Sequence, residues 1–454
     1  MSIASELTNL STNITNAYDA INTKGGTIPA NKNTANLATA INSISGGGSA
    51  SVVNGMIENF KASTSTINAN TFVEFVNDIT VGTDTQLSTI SDTYYAGSVV
   101  ALDNNTVFAI QGTSSNVAYA VIYTINGTTI TAGEPTLLNI TPGRYISAVA
   151  LSSDKVFVAY GNTASSNLLY AVIYTINGTT ITAGEPTQLS TQTSSGDHCY
   201  AVLLETDKVF INHRGGSALY GVVCTISGTT ITVGTNTGLA SSGTYEYAKA
   251  VMLDYDKVFI AHKSGTYLSG VVCTISGTTI TVGTDTRLKN TTGSSMYIGA
   301  ALVDTNKVFV HFGYNQYYAV VCVISGMTIT TGKAVSARNF SSTVTVQKVG
   351  TNKVFITGGL TLLVADVCLV TDTRISTTAS DTVLANTSYA GSGTIATLLG
   401  ANKVFISHRG GLYVSGIVCT DIDASVAPST DNIQGLTKTA CTTSTAGEVW
   451  VLST

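Results

Sequence analysis

His213, His262 and His408 fall at one place in a recurring pattern, and like-placed imidazoles are where metal or proton chemistry would be sought. Other copies of the pattern put Gln111, Tyr160 and Gly358 there, and copies that are not neighbours are held apart, so no metal site is expected. Arg214 and Arg409 follow two of the histidines in "HRGG", which reads as an anion or sugar contact or as a turn. The seven cysteines include Cys224, Cys273 and Cys322, 49 residues apart and each in "VVC", with Cys368 and Cys419 at the matching point of later copies. Tyr123 and Tyr174 occupy that slot earlier. A position that takes Cys or Tyr inside an apolar strand is a packing position, so reduced, buried thiols are expected rather than a disulfide or zinc framework.

Carboxylates offer no pair. Asp154, Asp207 and Asp256 recur in short turns, where Asp bonds its own backbone, and Asp197 and Glu246 are scattered. Glycoside hydrolysis needs two carboxyl groups facing one site. Neither a Ser-His-Asp spacing nor a phosphate loop or nucleotide fingerprint is present, so the reading is of a non-enzyme without a cofactor. Asn126, Asn139 and Asn177 begin formal glycosylation sequons, two of which serve as turns.

These residues hang on a chain of 454 residues, 44% hydrophobic and only 10% charged, against about 25% charged in an average domain. Thr, Ser, Gly, Asn and Val dominate, a composition of strands and turns. The net charge of −5 comes without a basic stripe, so nucleic acid is not an expected partner. No apolar run reaches the roughly 18 residues of a membrane span. The opening "MSIASELTNL" has no basic n-region and apolar h-region, so export by a cleaved leader is not expected.

One phrase recurs: "TINGTTITAGEPTLL" from Thr124, "TINGTTITAGEPTQL" from Thr175, "TISGTTITVGTNTGL" from Thr225 and "TISGTTITVGTDTRL" from Thr274, at steps of 51, 50 and 49. A second sets the count. "VF" occurs seven times, at Val107, Val156, Val209, Val258, Val308, Val354 and Val404. Each unit reads as four short strands: "YISAVALSS", a tight turn, "KVFVAY", then "LLYAVIYTI", an Asn-Gly hairpin turn and "TTITAGEPTQL". One such sheet cannot bury two apolar faces alone, whereas a radial array buries each against its neighbours. The expected fold is all-β: a seven-bladed β-propeller over residues 70–423, with a linker at 49–69 and a small β-hairpin segment at 424–454. A β-solenoid is the rival, and hairpin turns argue against it. The ends predict closure. "NDITVGTDTQL", from Asn77 to Leu87, is a fourth strand without its first three, and the unit containing Val404 lacks its fourth strand. Pairing the two removes an exposed edge.

In this arrangement the second-to-third and fourth-to-first connections share one face, and they vary where the others are uniform. Function concentrates on variable connections over a rigid scaffold. Their Tyr, His and Arg residues, Tyr160, His213, Arg214, Tyr245, Tyr247, His262, Tyr267, Tyr314, Tyr317, His408 and Arg409, are the candidate ligand-binding set, suited to a glycan or a protein surface. Fourth-to-first connections include "TPGRYIS", "SGDHCY", "SGTYEYAK" and "GSSMYIG".

Before the blades, Ile3, Leu7, Leu10, Ile14, Ala17 and Ile21 alternate by 4 and 3, the apolar seam of a short coiled coil, so residues 1–48 are expected to form a helical oligomerisation module. The stretch "LTNLSTNITNAYDAINTKGGTIPANKNTANLATAINSI" resembles an N-terminal module of tail and baseplate-associated proteins of phages that infect Gram-positive bacteria, and of phage-tail-like particles. "NIQGLTKTACTTSTAGEVWVL" resembles the short terminal β-hairpin of phage tail and fibre proteins. The resemblance implies a virion protein at the tail tip or baseplate, made in the host cytoplasm and joined to other tail proteins. It would form a trimer, as tail fibres commonly do, and display the propeller to a host-surface glycan or protein. A structural baseplate or decoration protein, and a bacterial lectin or adhesin, are the alternatives.

Overall fold

In the computed structural model the described residues are 17–19, 51–69 apart from 64 and 65, and 72–453 apart from short stretches. Those stretches include 193–195, 197, 241–246, 291–295, 314–315, 341–343 and 387–392. Among the described residues no helix is long and apolar enough to cross a membrane. By packing, the chain divides into two compact units, one of residues 79–366 with 382–422 and the other of 1–78 with 367–381 and 423–454.

Most of the ring lies in the first unit, with residues 367–381 of the sixth blade assigned to the other. Seven sheets, each antiparallel, repeat one order from first to fourth strand, and the seven "VF" pairs lie in their second strands with every Val and Phe buried. In the second blade these strands are Pro142–Ser152, Lys155–Asn162, Leu168–Asn177 and Thr180–Ala183. The outer strand is interrupted. After Gly184 the chain kinks, and Thr187–Gln188 returns to pair the other half of the third strand. Adjacent first strands pack side by side all the way round, the strand of the last blade (Ile395–Gly400) meeting that of the first (Thr93–Ala101). The propeller is closed.

Closure runs through the N-terminal segment, as the orphan strand predicts. Gly82 N–H donates to Val418 O at 2.9 Å, Leu87 N–H to Val414 O at 2.8 Å, and Thr85 and Gln86 face Gly416 and Ser415. An apolar core fills this seam as well. Leu87, Val99, Val107, Tyr123, Phe405 and Val418 share one core, with the Tyr123 and Phe405 rings stacked at 5.6 Å.

The repeated phrase has a packing cause. Its fifth residue, a Thr in the hairpin turn, abuts its tenth, a Gly, in the preceding blade. A Cβ built on Gly234 would sit 2.8 Å from Thr278 Cβ and 2.7 Å from Val223 O; at Gly184 the Thr229 Cβ would lie at 3.1 Å. Gly82 meets Thr128 in the same way at 2.9 Å, so the last seam repeats the rule.

The second unit holds an antiparallel sheet. Ser51–Phe60 pairs Gly447–Ser453, which pairs Gly435–Thr437, and Phe72 and Val73 face Leu436 and Gly435. The stretch expected as a linker therefore carries a strand, and the C-terminal hairpin is its partner. Asn77 Oδ1 accepts from Val367 N–H and from the Thr378 hydroxyl, both at 2.9 Å. Of the coiled-coil seam only Ala17 is described, buried in a helical turn at 17–19. Ile3, Leu7, Leu10, Ile14 and Ile21 lie outside the described residues.

Candidate functional site at the mouth of the central channel

Each first strand alternates. Ile146, Ala148, Cys199, Ala201, Ala250, Ile298 and Ala300 turn into the cores between blades and are buried, so the intervening residues line the central channel. The inner strands would otherwise leave backbone groups unpaired along the channel. Side chains of neighbouring blades satisfy several of them. Ser98 Oγ accepts from Ala148 N–H at 3.0 Å, Ser147 Oγ from Ala201 N–H at 2.9 Å, and Gln347 Nε2 donates to Ala396 O at 2.9 Å. These bonds spend the small polar residues on the scaffold and leave the aromatic ones for the opening.

At the end where the fourth-to-first connections arrive, four consecutive blades place an aromatic ring at the start of the first strand. Tyr145 and His198 have centroids 3.9 Å apart, His198 and Tyr247 5.2 Å, and Tyr247 and Tyr297 5.1 Å. All four are partly exposed and line the channel, whose volume is about 580 Å³. His198 takes a left-handed backbone, φ 58°, which turns the chain into the strand. Burial, and then the nearby Arg214 charge, push its imidazole down to about 4, so it presents a neutral ring at physiological pH. One layer deeper, Lys249 Nζ stands 3.7 Å over the Tyr200 ring. Among the described residues lining the channel there is no Asp or Glu. Asp197 and Glu246 lie outside the described residues.

Of the described residues in the candidate set, Tyr247 alone joins this arc. The three histidines are not on the surface as expected. Each lies within the second strand of its blade, fully buried, and reaches the kink of the fourth strand: His213 Nε2 to Asn236 Oδ1 at 2.6 Å, His262 to Asp285 at 3.1 Å, His408 to Asp84 at 3.0 Å. Blades with Gln111, Tyr160 or Phe312 at this position have Pro135, Pro186 or Ala334 at the kink, so histidine appears with a side-chain acceptor and is absent with Pro or Ala. The histidines are internal clasps, and burial also lowers the pKa of His213. Among the described residues no cluster of His, Cys, Asp and Glu could hold a metal ion.

Tyr160 and Tyr317 are likewise buried, 1% and 2% exposed, because their positions face the interior of a blade seam. Arg214 is half-buried and donates from Nε to Gly216 O at 2.8 Å, and Arg409 is half-buried. Tyr267 is partly exposed beneath the Arg287 guanidinium, 3.6 Å from its ring centroid. Tyr245 and Tyr314 lie outside the described residues. Tyr145, His198, Tyr200, Lys249 and Tyr297 are the residues the sequence reading missed. Tyr145, His198 and Tyr297 stand 11 residues before the Val of their "VF" pair, as Tyr247 does, and Tyr200 and Lys249 stand 9 before it, so aligning the units on that pair brings them into two columns.

No family model matches the sequence, and no curated protein matches it. Solved structures do resemble the fold. A 6-phosphogluconolactonase from Bacteroides uniformis is 9% identical with a TM-score of 0.50, covering 64% of this chain and 85% of its own. An ulvan lyase is 10% identical, with a TM-score of 0.49 over 80% and 97%. A six-bladed, fucose-recognising lectin from Aleuria aurantia is 11% identical, with a TM-score of 0.42 over 65% and 97%. At 9% identity the likeness to the lactonase establishes the fold alone.

Proposed function

We propose that this is a virion tail protein that binds a host-surface glycan at the mouth of its propeller channel. The observation that carries the reading is the arc of Tyr145, His198, Tyr247 and Tyr297 along the rim. Sugar rings present flat apolar C–H faces edged by hydroxyls, and tyrosine offers a matching face with a polar tip at low entropic cost. Glycoside hydrolysis draws on two opposed carboxyl groups, and the described lining supplies none. The tail assignment rests on the N-terminal and C-terminal resemblances, through which residues 1–48 join the protein to the tail and to copies of itself.

A glycan array probed with the full chain tests the binding arm. Retention of one family of oligosaccharides is expected, and Tyr247→Ala should weaken it by about 5- to 10-fold while the melting temperature stays within a degree or so. An array without retention, or retention that Tyr247→Ala leaves intact, returns the propeller to a structural role in the tail. Immunogold labelling of particles tests the tail arm, with label at the tail tip or baseplate expected.

A further inference from the structure

We infer that the glycan bound at the channel mouth carries a negative charge, a carboxylate or a phosphate, which Lys249 receives. This rests on the glycan-binding reading and names the class of its ligand. Lys249 is half-buried on the first strand of the fourth blade, one inward-facing position below Tyr247, and lines the channel. Its ammonium rests 3.7 Å over the Tyr200 ring of the preceding blade, which fixes it without neutralising it. No carboxylate among the described lining residues competes for it. Arg214 adds a second positive charge close enough to His198 to lower its pKa.

The groups around the ammonium limit what it can be for. Ser147 spends its hydroxyl oxygen on the backbone of the next blade, and His198 is neutral. Among the described lining residues Lys249 is therefore the formal charge nearest the aromatic rim; Lys348, the other lysine of the lining, faces Val354 and so stands about three positions further along its strand than Lys249, which faces Ala261. A cation held at the bottom of an aromatic cup suits a sugar or polyol chain whose ring or backbone lies on the rim while an acidic substituent points inward.

Isothermal titration of the full chain at low salt with three oligomers of matched length tests this: galacturonic acid, glycerol phosphate and neutral N-acetylglucosamine. One of the two anionic probes should bind about 10- to 100-fold more tightly than the neutral one, the range of a charge-assisted hydrogen bond. Which probe binds separates a uronate from a polyol phosphate. Lys249→Met should erase the preference in a protein that still unfolds near the wild-type midpoint, and Lys249→Arg should restore most of it. Equal affinity for charged and neutral probes, an undiminished preference in Lys249→Met, or no binding of either anion overturns the inference. A neutral oligomer whose binding is weakened in Tyr247→Ala, with Lys249 irrelevant, overturns this inference and leaves the glycan-binding reading standing.

Discussion

Burial holds His198 and His213 neutral in the folded protein, and that gives stability a direction with pH. Both have folded pKa values below the usual 6.5, His198 near 4. The unfolded chain therefore takes up protons first as pH falls, and the neutral fold loses ground by linkage. Stability is complete above about pH 6.5 and declines toward about pH 4. Thermal unfolding across that window should show a falling midpoint, and His198→Gln should flatten part of the fall. The thiols make a second residue-level test. Burial raises Cys224, Cys273 and Cys322 to about 12, so native-state alkylation should leave all three unmodified until denaturant is added. Rapid labelling of the native protein would contradict their place in the blade cores.

At the scale of the element, the seams between blades carry the fold. The Thr of one hairpin seats on the Gly of the preceding outer strand, so a side chain on that Gly pushes two blades apart. Gly82→Val would drive Cβ toward Val418 O and Thr128 at the closing seam and should cost about 1–3 kcal/mol in denaturant unfolding. Gly178→Asn is the control. That glycine has φ +61° and open space within 4 Å of where a Cβ would stand, and Asn tolerates this backbone, so the change should stay within about 0.5 kcal/mol. Blade number, strand order and closure are legible in the sequence because each rests on period-2 alternation and turn chemistry repeated seven times. The site is far less legible. Tyr145, His198, Tyr247 and Tyr297 occur once per unit, at the junction of a variable connection and a strand, where alternation is weakest. His213, His262 and His408 look like loop residues because Arg and Gly follow them in two of the units. Their burial depends on a partner, Asn236, Asp285 or Asp84, in the outer strand, and for His408 that partner lies 324 residues away.

For the whole molecule, the proposal joins a weak single site to an oligomeric stalk. Linking several propellers that reach one surface raises avidity by roughly 10²–10⁴ without a new contact. Leu10→Asp with Ile14→Asp, in the seam from Ile3 to Ile21, should then lower the mass in solution to that of a single chain and remove most adsorption to host cells, with the propeller still folded. Unchanged mass would place assembly elsewhere. The most direct test of the central claim is binding of the full chain to purified host cell-wall polysaccharide, wild type against Tyr145→Ala/Tyr247→Ala/Tyr297→Ala. The account predicts saturable binding by the wild type and loss of at least about 100-fold in the variant, as expected for removing stacked aromatic contacts of roughly 1 kcal/mol or more each, with unfolding midpoints that agree. A folded variant that binds as the wild type does would contradict it.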